Sequence, residues 1–133
     1  MEVLLISYLS KDTINFTTYY MKIKFKQWEC TLEAVRYTND RKALILMDGE
    51  EMVAMATVNM PDYPCGDEQI YVKDYSENEG MLQTLIDNEI VHPKLANELG
   101  GNFVRVPLMN LTKKGMKLWQ SKEKSQEKNT KSG

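Results

Sequence analysis

Hydrophobic and polar positions alternate along part of the first half of the chain, as they do in half-buried β-strands. In WECTLEAVRY (28–37), Trp28 and Cys30 fall on one face, and Glu29 and Thr31 fall on the other. A period of two residues predicts a strand with one buried face and one solvated face.

Similar strand-like segments recur up to the last third of the chain. They occupy residues 21–25, 28–37, 43–47, 52–60, 69–75 and 102–109. Asp48-Gly49 predicts a tight hairpin, because glycine accepts the positive φ that such turns need. Pro107 suggests an edge position for the last strand, since proline lacks the amide proton of a ladder. Residues 97–102 are predicted to turn the chain, and Val3–Leu9 is a candidate extra edge strand.

One segment, KDYSENEGMLQTLI (73–86), has helical phasing. Apolar residues at 81, 82, 85 and 86 line one helix face. Ser76 and Glu79 fit a capping box, so the helix is predicted to begin near residue 77 and to run to about 88. Gly80 is costly inside a helix, and we interpret it as a point where the helix passes close over the sheet.

These patterns predict an α+β fold: an antiparallel β-meander of four to six strands with one main helix packed on one face. The predicted organisation is an N-terminal extension (1–20), a single domain (21–112) and a Lys-rich disordered tail (113–133), whose composition is polar after Trp119.

Charge is unevenly distributed along the chain. The net charge is −2, but residues 113–133 carry +5 and residues 1–112 carry −7. Between Asp48 and Glu98, twelve acidic side chains face two lysines. Because phosphates need cationic partners, we expect no nucleic-acid binding by the body and only weak contact by the tail.

Catalytic chemistry finds little support in the sequence. His92, the single histidine, stands beside Pro93 in a predicted turn. Cys30 lies on an apolar strand face, and Cys65 has no adjacent basic residue to activate it. The acidic residues match no calcium loop, and no phosphate-binding motif is present. We therefore expect no enzyme, no cofactor and no metal.

Three strings resemble a family of small bacterial proteins with a domain of unknown function, carried by phages, plasmids and conjugative elements. They are YTNDRKALILMDGEEMVAMATVNMPD, IYVKDYSENEGMLQTLIDNEIVHP and FVRVPL, and the resemblance covers roughly residues 21–109. It implies a mobile-element setting but no reaction. Asn88-Glu89 replaces the glycine expected after the helix, which predicts a different C-cap.

A cytoplasmic protein-binding module in a bacterial host is the function that we expect, as a monomer or weak dimer without membrane contact. Its acidic surface would bind a basic host or element protein, as an antagonist of a defence or nucleic-acid-processing protein would. The alternatives are an accessory role in conjugation or replication, and sequestration of a small nucleotide. The predicted binding residues are Asp67, Glu68, Asp74, Glu77, Asn78 and Glu79, with Ser76 and Gly80 in structural roles.

Overall fold

A computed structural model describes residues 3–9, 15–100 and 104–120, with side chains from Met21 onward. The strands are β1 (Val3–Leu9), β2 (Asn15–Phe25), β3 (Trp28–Arg36), β4 (Lys42–Asp48), β5 (Glu51–Met55), β6 (Gln69–Tyr71), β7 (Val91–Gly100) and β8 (Arg105–Leu111). The helical elements are a 3-10 turn (Ser76–Asn78), α1 (Met81–Asp87) and α2, which covers residues 113–120.

The strands form two antiparallel sheets. The first sheet has the order β1-β2-β3-β4-β5, a meander, and the second has the order β6-β8-β7. The chain after β5 joins them, because Thr57 bridges Val72 and the amide of Lys73 donates to the carbonyl of Ala56. The predicted α+β fold with an antiparallel meander is thereby confirmed.

The core lies on the inner face of the first sheet. The alternation in β3 places Cys30, Leu32 and Ala34 there, and all three are buried. Met81 and Leu85 of α1 join the same apolar cluster, which packs the helix on this face. Trp28, predicted on the apolar face, is 45% exposed because it lies where β3 begins at a hairpin.

The predicted boundary at Met21 lies inside a strand. β2 begins at Asn15, and its first residues pair with β1, as in Val3↔Met21 and Leu9↔Asn15. β3 continues the ladder from Met21↔Leu32 to Phe25↔Trp28. The Val3–Leu9 segment is therefore an edge strand of the first sheet, as the alternative for that segment predicted.

Three predictions for the last third of the chain differ from the structure. His92 and Pro93, expected in a turn, belong to β7, whose register shifts between Val91 and Leu95 accommodate the proline. β8 lies between β6 and β7, so Pro107 does not mark an edge strand. The β6–β8 ladder ends at Tyr71↔Leu108, and the carbonyl of Pro107 accepts a hydrogen bond from the amide of Val72, directly beyond the end of β6. The proline therefore stands where this ladder ends, so its lack of an amide proton interrupts no pair within it.

Of the predicted turn at 97–102, residues 97–100 belong to β7, and residues 101–102 lie outside the described residues.

The helix start also differs from the predicted capping box. Ser76 has φ 55° and is the first residue of the 3-10 turn. Tyr75, the residue before the turn, makes no side-chain capping hydrogen bond. α1 begins only at Met81, and Asp74 accepts hydrogen bonds from the amides of Gly80 and Leu82, each at 3.0 Å. Gly80 has φ 98°, and a side chain there would contact nothing within 4 Å. Gly80 therefore allows a left-handed turn and does not mark a close approach to the sheet.

α1 ends in a Schellman motif. The amide of Ile90 donates to the carbonyl of Leu85 at 2.9 Å, and the amide of Glu89 donates to that of Ile86 at 3.0 Å. Glu89 has φ 61°, the left-handed position that glycine usually occupies. The sequence predicted a C-cap without glycine. In the structure Glu89 occupies the position that favours glycine, and its backbone is strained there.

The start of the predicted disordered tail is also wrong, because residues 113–120 form α2. Thr112 caps this helix: its hydroxyl accepts from the amide of Gly115 at 2.9 Å. Leu118 and Trp119 are buried, and the indole Nε1 of Trp119 donates to the carbonyl of Val35 at 2.7 Å. Residues 121–133 of the predicted tail lie outside the described residues. Within the described ranges, no helix is long and apolar enough to cross a membrane.

Candidate functional site

Asp67 and Glu68 lie at the end of a surface loop, residues 61–68, that joins the two sheets. Arg41 fixes the backbone of this loop: its guanidinium donates to the carbonyls of Met60 at 2.6 Å and Tyr63 at 2.7 Å. Charge-assisted hydrogen bonds are stronger than neutral ones, so Arg41 restrains the backbone from which the exposed side chains of the loop project.

Two further bonds fix the second half of the loop. The Tyr71 hydroxyl donates to the carbonyl of Pro64 at 2.5 Å. The ammonium of Lys42, buried beneath the loop, donates to the carbonyl of Asp67 at 2.7 Å and lies 3.6 Å from its carboxylate. The Asp67 side chain itself remains 89% exposed, so this pairing leaves its outer surface open to a partner.

Asp74 and Asn78, both predicted as exposed binding residues, stabilise the fold. Asp74 caps α1 as described above. Asn78 is 1% exposed, and its amide nitrogen donates to the carbonyls of Met55 at 2.6 Å and Lys73 at 3.1 Å. Because a buried amide with satisfied donors cannot contact a partner, the Asn78 side chain is not part of the surface.

Glu77 and Glu79 are exposed beside the 3-10 turn. Glu77 pairs with Lys73 at 2.6 Å, and this hydrogen bond lowers the pKa of the Glu77 carboxyl and raises the pKa of Lys73. Lys26 donates to the Glu77 carbonyl at 2.8 Å. Glu79 has no ion pair with any described residue, so it is the one fully available carboxylate of this pair.

The predicted acidic residues therefore form two separate groups. The extended chain 69–73 lies between the Asp67–Glu68 group and the Glu77–Glu79 group, and five residues in extended conformation span about 16 Å. A partner that used both groups would have to follow the β6 segment along its length.

Among the exposed carboxylates outside the predicted set, four lie in the part of the chain between β4 and the loop 61–68. They are Asp48, Glu50 and Glu51 at the β4–β5 hairpin and Asp62 in the loop. None of the four forms an ion pair within the described ranges. Tyr63, 45% exposed, is next to Asp62. The hairpin and loop signals in the sequence located these residues, but only the fold shows that their charges are left uncompensated.

Three residues, His92, Cys30 and Cys65, bear on catalytic chemistry. His92 is exposed on β7. Burial raises the pKa of the Cys30 thiol, with a smaller contribution from Asp48, and burial also raises that of Cys65 against the opposing charges of Arg41 and Lys42. A thiol with a raised pKa is a poor nucleophile at neutral pH. No group of three or more candidate ligand residues that could hold a metal ion occurs in the described part of the chain.

Comparison of the chain with family models, with curated proteins and with solved structures gave no match. Charge, exposure and loop geometry therefore carry the functional argument.

Proposed function

We propose that the protein is a non-enzymatic binding module whose acidic surface attaches to a basic protein. The observation that carries the proposal is the loop 61–68, which presents Asp62, Asp67 and Glu68 beside the exposed Tyr63 on a backbone fixed by Arg41. Tyrosine is enriched at protein interfaces, and a preformed loop loses little conformational entropy on binding.

The charge around this loop favours a cationic partner. Asp62 and Glu68 have no cationic neighbour in ion-pair contact among the described residues, so binding to lysine or arginine would replace only water. Complementary charges of this kind increase the association rate and discriminate against acidic partners, including nucleic acids.

The bacterial mobile-element setting comes from the sequence resemblance. In that setting, an acidic protein that occupies the basic surface of a host defence or nucleic-acid-processing protein would act as its antagonist. An accessory role in conjugation or replication uses the same surface with a partner encoded by the element, so the identity of the partner distinguishes the two.

Affinity capture from host cells, with and without the element, tests the proposal when loop and control variants are compared. The loop variant combines Asp62→Asn, Tyr63→Ala and Glu68→Gln, and it leaves Asp67 in contact with Lys42. The matched control combines Glu50→Gln and Glu51→Gln, which removes the same charge from the β4–β5 hairpin.

We expect a basic protein to be captured by the wild type and by the hairpin control, and to be lost with the loop variant. Thermal unfolding of each variant excludes loss of fold as the cause. Equal capture by the loop variant and the wild type would refute the loop as the docking surface. A third variant, Glu77→Gln with Glu79→Gln, tests whether the interface extends along β6.

A further inference from the structure

A groove of about 420 Å³ lies where the end of α1, the start of β7 and the start of α2 meet. Its accessible apolar part is formed by the half-buried Ile86 and the exposed Pro93, and the lining also includes the buried Val91. The volume falls within the range of small-molecule sites, which combine an apolar wall with a few polar groups.

The groove is held in shape by Thr112. Its hydroxyl donates to the carbonyl of Glu89 at 2.5 Å and accepts from the amide of Gly115, while the amide of Thr112 donates to the carbonyl of Ile90 at 3.0 Å. These bonds fix the start of α2 against the end of α1, so the groove exists before any ligand binds.

Cationic and hydrogen-bonding side chains from two elements line the same groove. His92 comes from β7, and Lys113 and Lys114 come from the start of α2. Glu89 is the acidic residue in the lining, and its carboxylate lies 3.6 Å from the ammonium of Lys114. Lys113 has no carboxylate within ion-pair distance in the described chain, so the groove retains one uncompensated positive charge. The sequence did not indicate this cluster, because residues 92 and 113 are distant along the chain.

We propose that this groove binds a small organic anion, with a phosphate or carboxylate at Lys113 and His92 and a compact apolar or aromatic group on Pro93 and Ile86. The anion would accept hydrogen bonds from the ammonium of Lys113 and from the imidazole. This site is independent of the docking loop 61–68, so either proposal can fail without the other.

His92 provides a direct reporter, because it is the single histidine and its imidazole carbon-bound protons give one set of proton NMR signals. The full chain is titrated with phenyl phosphate, benzoate, inorganic phosphate and phenol. We expect phenyl phosphate or benzoate to shift the His92 signal saturably and at lower concentration than inorganic phosphate or phenol. The better of these two ligands identifies the preferred anion.

Three single-residue variants that retain the reporter test the role of charge. Removing a unit charge about 4 Å from the ligand in water changes affinity about fivefold. Lys113→Ala should weaken binding by this factor, and Glu89→Gln, which removes the competing carboxylate, should strengthen it. Lys117→Ala removes the same charge from α2 at an exposed residue outside the groove and should change nothing.

The proposal is overturned if the His92 signal does not move or if phenol shifts it as strongly as phenyl phosphate does. It is also overturned if Lys113→Ala and Lys117→Ala weaken binding equally, because the anion would then respond to the general charge of α2.

Discussion

Replacement of Gly115 by alanine tests the docking of α2 on the body. A Cβ built at Gly115 lies 2.4 Å from the backbone carbonyl oxygen of Ile90 and 3.3 Å from its side chain. The first distance is far below van der Waals contact, and a backbone oxygen cannot move aside as a flexible side chain would. Either α2 or the segment around Ile90 must therefore shift.

The expected sign opposes helix propensity. Alanine in place of glycine within a helix stabilises by about 1 kcal/mol when the site is unhindered. Forcing extra atoms into a packed contact costs about 1–3 kcal/mol, so Gly115→Ala should lower the free energy of unfolding, by up to about 2 kcal/mol net. Urea unfolding followed by tryptophan fluorescence measures this change, with Lys117→Ala as an exposed control on the same helix. An increase in stability would mean that α2 does not pack against Ile90.

Four further changes follow from the described contacts, and urea unfolding measures each. Glu89→Gly should stabilise by about 1 kcal/mol, because it relieves a left-handed φ that costs a non-glycine residue roughly 1–2 kcal/mol; no gain would contradict the Schellman geometry. Asp74→Ala should cost about 0.5–2 kcal/mol as a lost cap, whereas Ser76→Ala should change stability by less than about 0.5 kcal/mol. A larger loss of stability with Ser76→Ala than with Asp74→Ala would support the capping box instead. Leu118→Ala combined with Trp119→Ala should cost at least about 4 kcal/mol, and a near-neutral result would return residues 113–120 to a disordered tail.

The sequence predicted the meander well because its strands are stabilised by neighbours in the chain. The alternation around Cys30 and the Asp48-Gly49 hairpin both act over a few residues, and both led to the correct elements. β7 was missed because Pro93 and the polar residues after it resemble a turn. Only pairing with β8, and the register shifts that this pairing tolerates, make the segment a strand.

The joint between β6 and α1 shows the limit of a local motif. Ser76 and Glu79 have the capping-box spacing, yet Asp74 lies where it can reach two amides at once, and the chain forms a 3-10 turn first. The close approach assigned to Gly80 exists at Gly115 instead. A glycine at positive φ and a glycine in steric contact look the same in a sequence, because the difference depends on what lies opposite.

The composition of the C-terminal segment predicts disorder from residue 113, whereas residues 113–120 form a helix. Residues 113–120 include three lysines, but their helical phasing places Leu118 and Trp119 in the core. The buried Lys42 supports this arrangement, since its ammonium lies 5.8 Å from the Trp119 ring while it bonds the docking loop. Lys42 therefore connects α2 with the loop that carries the proposed binding surface.

The sequence predicts the residues of the candidate binding surface only in part. The charge pattern of a loop predicts Asp67 and Glu68, and the structure leaves both exposed. Asn78 is uncharged and is predicted from its expected exposure at the start of the helix, but its buried amide donates to the carbonyl of Met55. Charge patterns identify where carboxylates are concentrated, whereas the hydrogen bonds of the folded chain decide which of them remain available.

The salt dependence of partner binding tests the central claim most directly. The affinity of the captured basic protein would be measured by calorimetry at low and near-physiological salt, for the wild type, for Asp62→Asn with Glu68→Gln, and for the hairpin control. We predict that wild-type affinity falls as salt rises, because exposed charges are screened over about 8 Å at physiological ionic strength. The loop variant should bind more weakly at low salt and respond less to added salt. An affinity independent of salt, or an equal loss in the hairpin control, would contradict the proposal.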